Sequence, residues 1–197
     1  MLCSAAVMLI VAGSTGSGAM RAGPAETRPS DVQAQLQQAR QAVQRNPRDA
    51  DAWLQLGMAA RKARQYELAR RAYQRAARIR PGDASPHIGL AELADAAGDK
   101  YSAIIHLHNA LERLTRQWTV RYSLARLYAE LGRWNEAAAQ LQQAVAQKPD
   151  YLEAWIMLGN VRVRLNRFSE ARQAYQRALQ IKPTAEVYYL SLIHISE

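Results

Sequence analysis

The amino-acid sequence predicts an all-α fold made of antiparallel helix hairpins that stack in a row. The 197-residue chain is rich in alanine, leucine, glutamine and arginine, which are good helix formers. Its β-branched residues never form the alternating runs that are typical of strands. The chain also matches itself four times without a gap when it is shifted by 34 residues. A fixed period of this length indicates a row of stacked helical units.

Residues 1–19 contain an apolar run followed by small residues, and this pattern predicts a signal peptide. The run has about twelve residues, whereas a membrane span needs about 20, so no transmembrane span is expected after cleavage. No lysine or arginine precedes the run, which leaves the signal incomplete. We predict a periplasmic or secreted protein, with the cytoplasm as the alternative. Residues 20–29 contain two prolines and are expected to form a linker.

A single helix is predicted for residues 30–46, ahead of the full repeats. Ser30 and Asp31 are suitable residues for the start of a helix. Three apolar residues then recur at helical spacing, namely Leu36, Ala39 and Val43. With Pro47 behind it, this segment matches the second half of a repeat, and we expect it to cap the first full hairpin.

Four full repeats are predicted at residues 50–83, 84–117, 118–151 and 152–185, with the start of a fifth at 186–197. Five columns of residues recur in them: Leu56, Leu90, Leu124 and Leu158; Gly57, Ala91, Ala125 and Gly159; Ala69, Ala103, Ala137 and Ala171; Tyr73, Leu107, Leu141 and Tyr175; Ala76, Ala110, Ala144 and Ala178. The small residues are expected where two helices cross, because only a short side chain lets the backbones approach. The bulky column fills the space beside that crossing.

The turn inside each hairpin is predicted near one residue per repeat, namely Arg64, Gly98, Gly132 and Asn166. Glycine and asparagine tolerate the left-handed conformation that ends a helix, whereas arginine tolerates it poorly. The first repeat is therefore expected to have the least favourable turn. Prolines close most of the repeats because proline cannot continue a helix, namely Pro47, Pro81, Pro149 and Pro183.

Together with Trp53 and Trp155, which share one position in the period, these columns resemble the tetratricopeptide repeat. The resemblance covers residues 50–185. Three residues depart from its tryptophan or proline columns, namely His87, Thr115 and Arg121. The resemblance implies a right-handed α-solenoid, a superhelix whose concave face is lined by the first helices and binds a protein or peptide.

The resemblance also implies which residues line the groove. They are the fifth and ninth of each repeat, here Leu54, Met58, Ile88, Glu92, Tyr122, Arg126, Ile156 and Asn160. The fifth residue is apolar in all four repeats, and this apolar strip favours an amphipathic helix or an extended apolar peptide as ligand. Leu54 and Met58 replace the lysine and asparagine with which some members of the family clamp a chaperone C-terminus. Alternatively, the strip packs against further repeats of the same chain.

The sequence holds no Gly-rich phosphate loop, no nucleophile with its base and no paired carboxylates. We therefore expect no catalysis, no cofactor and no metal in this chain. His106 and His108 lie two residues apart, whereas histidines of a helical zinc site lie four apart, and His87 is isolated in the sequence. The predicted function is a protein-interaction scaffold, in envelope assembly (pilus, outer membrane or polysaccharide export) if the chain is exported. The alternative is the accessory array of a larger enzyme, such as a glycosyltransferase or kinase.

The net charge of +9 raises the question of nucleic-acid binding. The densest basic stretch, residues 61–80, spreads its arginines over several helix faces and lacks interleaved aromatic residues for base stacking. A protein partner is therefore favoured over nucleic acid, and RNA binding through residues 61–80, with an affinity that falls steeply with salt, stays the weaker alternative.

The last eight residues, 190–197, resemble a translated sequencing adapter, so the protein's own sequence is expected to read only to about Tyr189. An apolar end after the fourth hairpin predicts self-association there.

Overall fold

The computed structural model describes residues 29–114 and 117–192, and all regular structure within these ranges is helical. The helices are α1 (Pro29–Arg45), α2 (Ala50–Lys62), α3 (Tyr66–Ile79), α4 (Ser85–Ala96), α5 (Lys100–Leu111), α6 (Trp118–Glu130), α7 (Trp134–Gln147), α8 (Leu152–Arg164), α9 (Phe168–Ile181) and α10 (Ala185–Leu192). The predicted all-α solenoid is confirmed. The predicted signal peptide, the linker up to residue 28 and residues 193–197 lie outside the described ranges, and Pro29 belongs to α1.

Four hairpins follow one another along the chain, formed by α2 with α3, α4 with α5, α6 with α7 and α8 with α9. The second helix of each hairpin also packs against the first helix of the next. At the two ends, α1 packs against α2 and α10 packs against α9 through the fully buried Val187. The predicted apolar residues of α1, Leu36, Ala39 and Val43, are buried.

Each hairpin turns through one residue in the left-handed region, and the four predicted turn positions are confirmed. The φ angles are +81° at Gly98 and +72° at Gly132, where the absence of a Cβ removes the steric cost. Arg64 and Asn166 adopt the same region with φ of +58°. The conformation is therefore required by the hairpin geometry, whichever residue occupies the turn.

The two helices of the first hairpin cross where glycine meets a tyrosine ring. A Cβ added to Gly57 of α2 would lie 2.5 Å from two ring carbons of Tyr73 on α3. A Cβ added to Gly89 of α4 would lie 2.5 Å from the Cζ of the same ring. Tyr73, of which only 1% is exposed, therefore joins three helices.

The two columns that meet at the crossing are coupled in size. The fourth hairpin repeats the glycine and tyrosine arrangement with Gly159 and Tyr175. The second and third hairpins use alanine with leucine instead, in the pairs Ala91 with Leu107 and Ala125 with Leu141. A larger residue on the first helix thus accompanies a smaller one on the second. The summed volume stays nearly constant, as close packing requires.

The tryptophan column also has a polar role. The indole Nε1–H of Trp53 donates to the carbonyl of Pro47 at 2.9 Å, and that of Trp155 donates to the carbonyl of Pro149 at 2.8 Å. The second repeat has His87 in this column, and the matching carbonyl of Pro81 accepts from the Nε of Arg113 at 2.7 Å. The closing carbonyl is thus satisfied in each of these three repeats, by a different donor in the second.

The size coupling predicts a non-additive pair of substitutions in the first hairpin. Gly57→Ala is expected to lower the free energy of unfolding by about 1–3 kcal/mol through overpacking against Tyr73, in spite of the better helix propensity of alanine. Combining it with Tyr73→Leu reproduces the pair of the second hairpin, so the double variant should lose less than the sum of the two single losses. Urea denaturation of the three variants measures the coupling.

Gly82→Ala serves as the matched control, because no heavy atom other than those of its chain neighbours lies within 4 Å of a Cβ added at Gly82. Its free energy of unfolding should stay within about 0.5 kcal/mol of the wild type. Strict additivity of Gly57→Ala and Tyr73→Leu would contradict the coupling.

Candidate peptide-binding groove

The eight predicted groove residues lie on the four first helices α2, α4, α6 and α8. Two ion pairs connect three of these helices, α2, α4 and α6, from one hairpin to the next. Arg61 on α2 pairs with Glu92 on α4 at 3.2 Å, and Asp95 on α4 pairs with Arg126 on α6. The two charged ninth-position residues, Glu92 and Arg126, are therefore both used in contacts between hairpins.

The ion pairs continue around Glu130 at the end of α6. Its carboxylate accepts from Arg126 of the same helix at 2.5 Å and from Lys100 at the start of α5. The hydrogen bond from Lys100 lowers the pKa of Glu130, and Arg126 adds to that effect. With Arg61, Glu92 and Asp95, this set contains three cations and three anions, so it offers an incoming ligand no excess charge of either sign.

The apolar strip is less exposed than the sequence pattern suggested. Leu54, Ile88, Tyr122 and Ile156 are all half-buried, because each packs along one edge against the core of its own or a neighbouring hairpin. Met58 is half-buried in the same way. Large apolar side chains with greater exposure lie elsewhere, namely Tyr66, Tyr101, Ile105, Ile181, Tyr188 and Tyr189.

Three aromatic rings meet at the third hairpin, and we call Trp118, Tyr122 and Tyr151 the aromatic trio. The ring centroids of Trp118 and Tyr151 are 4.6 Å apart with planes at 54°, and those of Tyr122 and Tyr151 are 5.1 Å apart in an edge-to-face arrangement at 78°. All three side chains are half-exposed. Burial raises the pKa of Tyr151, and Tyr122 and the carboxylate of Glu153 raise it further.

Tyr122 is among the groove residues predicted from the sequence, whereas Trp118 and Tyr151 are not. Trp118 lies four residues before Tyr122, which places both on one face of α6. Tyr151 comes from the connection before α8, and no repeat column pointed to it. The helical spacing could therefore have found Trp118, whereas only the packing of two hairpins brings in Tyr151.

The remaining groove residue, Asn160, is held by its own hairpin. Its Oδ1 accepts a hydrogen bond from the hydroxyl of Tyr175 at 2.7 Å. Burial raises the pKa of Tyr175 to about 12, so this hydroxyl stays a donor at neutral pH. The side chain of Asn160 is otherwise exposed on α8.

A pair of histidines lies inside the second hairpin. His87 is isolated in the sequence, but the hairpin brings its ring to 6.1 Å from that of His106, with a buried Nδ1 on each ring that has no hydrogen-bond partner. Burial lowers the pKa of both, and the charge of Arg113 lowers that of His87 further. Asp83 and Glu112 near His87, and Asp99 near His106, act weakly in the opposite direction.

In the part of the chain that the structure describes, no three His, Cys, Asp or Glu side chains lie together in a way that could hold a metal ion. Over the same residues, no helix is both long enough and apolar enough to cross a bilayer. His108 contacts a different ring: its Nε2 forms a hydrogen bond with the hydroxyl of Tyr128 at 2.8 Å.

Most of the solenoid matches one known protein family. The family described as tetratricopeptide repeat matches residues 30–84 and 122–186, which is more than half of the chain. Among curated proteins, the protein O-mannosyl-transferase TMTC3 of Homo sapiens is 25% identical over 171 residues, covering 78% of this chain and 19% of that protein. The chain thus spans about a fifth of the length of that relative.

Solved structures share the fold at low sequence identity. The structure of the MamA protein superposes with a TM-score of 0.70 at 18% identity, covering 83% of this chain and 89% of MamA. The structure of YrrB, described as a TPR protein with an unusual peptide-binding site, gives a TM-score of 0.67 at 18% identity, covering 81% and 82% of the two chains. Identities this low establish the fold alone.

The histidine pair predicts that stability falls in mild acid. The folded chain lowers the pKa of both imidazoles, so the unfolded chain binds protons more readily below the ordinary value of 6.5. The stabilisation by the neutral pair is therefore complete above about pH 6.5 and is lost as pH falls below it. Urea midpoints at neutral and mildly acidic pH measure the loss.

The variant His87→Trp with His106→Ala restores the residue pair of the first and fourth repeats and should show less loss in acid than the wild type. His108→Gln, outside the pair, should keep the wild-type pH dependence. Equal losses in the wild type and in the paired variant would show that the acid sensitivity has another origin.

Proposed function

Because this chain belongs to the tetratricopeptide repeat family, a family of protein-interaction scaffolds, we propose that it binds a peptide or helical segment of a partner protein in the groove along α2, α4, α6 and α8. The observation that carries this proposal is the series of half-exposed apolar side chains on successive first helices, namely Leu54, Ile88, Tyr122 and Ile156. Such a series offers a partner one apolar contact per hairpin at a regular interval, which suits a single extended or helical segment.

The charges of the groove favour an apolar ligand over a strongly acidic one. Arg61 and Arg126 flank the apolar strip on the groove helices, and both already pair with carboxylates. A carboxylate ligand would have to displace these partners. An apolar segment leaves the ion pairs intact and gains free energy by burying the exposed half of the apolar strip.

The cellular setting is a further part of the proposal. An apolar run followed by small residues at the start of the chain supports export, and an exported scaffold of this family suits envelope assembly. Fusion of the first 30 residues to a reporter that is active only outside the cytoplasm tests export.

The relative TMTC3 is named as a transferase, and this supports a second candidate function, in which the repeats are the accessory array of a larger transferase.

Self-association is proposed at the α10 end of the solenoid. Tyr188 and Tyr189 of α10 are 52% and 69% exposed, and α10 packs on α9 through its other side. Two copies that joined through these tyrosines would cover both exposed faces. Replacing both tyrosines with serine should lower the mass measured by light scattering if the wild type is a dimer, and an unchanged mass would contradict this contact.

One double variant, with aspartate at two groove positions, tests the groove. Peptides selected on the wild-type protein from a random display library are expected to lose at least about thirtyfold in affinity for the variant Tyr122→Asp with Ile156→Asp, because charges would replace two apolar contacts. Isothermal titration measures the affinity, and circular dichroism checks that helicity is retained.

The matched control places the same two negative charges on α5, the second helix of its hairpin. Tyr101 and Ile105 on α5 are 66% and 59% exposed, so Tyr101→Asp with Ile105→Asp alters a similarly apolar surface away from the groove helices. This variant should bind the selected peptides with wild-type affinity. Peptides that bind all three proteins equally would show that the groove is not the binding site.

A further inference from the structure

We propose that the aromatic trio binds a proline-rich, extended segment of the partner. This inference rests on the proposed function, because it specifies which ligand one part of the groove recognises. It is carried by the arrangement of the three rings, by an indole N–H that has no partner among the described residues, and by the exposed carboxylate of Glu153.

The three rings meet at angles and not in parallel stacks. Tyr151 meets Tyr122 edge to face, and it meets Trp118 at 54°. Neither contact is a parallel stack, so no ring covers the whole face of its neighbour. Half-exposed aromatic faces set at an angle form shallow apolar hollows, and the flat ring of proline packs well into such hollows.

Trp118 differs from two of the other tryptophans in its indole N–H. The Nε1–H groups of Trp53 and Trp155 donate to proline carbonyls within the chain. The Nε1–H of Trp118 has no hydrogen-bond partner among the described residues. A tryptophan at a binding surface usually finds an acceptor for this group, and here the acceptor would come from the ligand.

The neighbouring side chain adds another donor. The Oε1 of Gln117 accepts from the hydroxyl of Thr119 at 3.1 Å, which leaves the amide NH2 of Gln117 beside Trp118. The start of α6 therefore carries two side-chain N–H donors that bond to no other described residue. A ligand that suits it has acceptors along its backbone and apolar side chains between them.

A polyproline helix has that pattern, whereas an α-helix does not. Proline residues carry a carbonyl acceptor and no N–H donor, and the polyproline helix leaves these carbonyls unpaired. The carbonyls in the middle of an α-helix are already paired within the helix. The free donor of Trp118 thus favours the extended form among the ligand shapes that an apolar groove admits.

The charge beside the trio indicates the flanking residue. The carboxylate of Glu153 is exposed, and its charge contributes to the raised pKa of Tyr151. Arg126, the basic groove residue one helical turn beyond Tyr122, is already paired with two carboxylates. The segment is therefore expected to carry an arginine or lysine beside its prolines, and no acidic residue.

The experiment uses the full chain and two synthetic probes. One probe is a decaproline peptide with a terminal arginine, and the other is an amphipathic helical peptide of leucine, alanine and lysine. The proline peptide should bind the wild type at a single saturable site. Trp118→Phe keeps an aromatic ring but removes the donor, and it should weaken that binding about fivefold, the effect of one hydrogen bond. Replacing the terminal arginine with glutamate should weaken it as well.

Trp134→Phe is the matched control, because Trp134 lies on α7 and its ring contacts Arg164 at the end of α8 and none of the three rings of the trio. It should leave binding of the proline peptide unchanged. The proposal is overturned if the proline peptide shows no saturable binding, or if its affinity is indifferent to Trp118→Phe or equally sensitive to Trp134→Phe. Binding of the helical probe alone, lost in Tyr122→Asp with Ile156→Asp, would overturn this inference and leave the proposed groove function standing.

Discussion

The contact between a small residue on one helix and a large ring or leucine on the next is the constraint on which this solenoid depends. At Gly57 the backbone lies so close to Tyr73 that even a methyl group would not fit, and Gly89 of the following hairpin approaches the same ring. One tyrosine thereby sets the separation of three helices. That separation in turn brings the first helices near enough for Arg61 to reach Glu92 at 3.2 Å.

The groove follows from this spacing. Where first helices lie side by side, their charged residues pair with one another, and surface pairs of this kind contribute little stability but remove free charge. What remains for a partner is the apolar strip and the aromatic trio. The chemistry of the groove is therefore decided as much by contacts within the solenoid as by the residue types at the fifth and ninth positions.

The interior of the solenoid is also uneven along its length. The outer hairpins place Trp53 and Trp155 opposite alanine, whereas the second hairpin places His87 near His106 and the third has Arg121 donating to Gln140 at 3.2 Å. Polar pairs in half-buried positions are more sensitive to pH and to loss of a partner than apolar ones. The middle of the solenoid is thus the part whose packing solution conditions can alter.

The sequence by itself determined the helices, the hairpins and the four turns, because a 34-residue period reports packing between residues that are close in the chain. Gly98 and Asn166 could be assigned to turns from their backbone preferences alone. Only the tertiary structure decided that Trp118 and Tyr151 join Tyr122, since these contacts link separate hairpins. The same holds for Glu92 and Arg126, which sequence analysis placed in the groove and which the structure shows paired. A repeat column identifies the position of a side chain in its hairpin, but its partner is set by the residue that the next hairpin brings within reach.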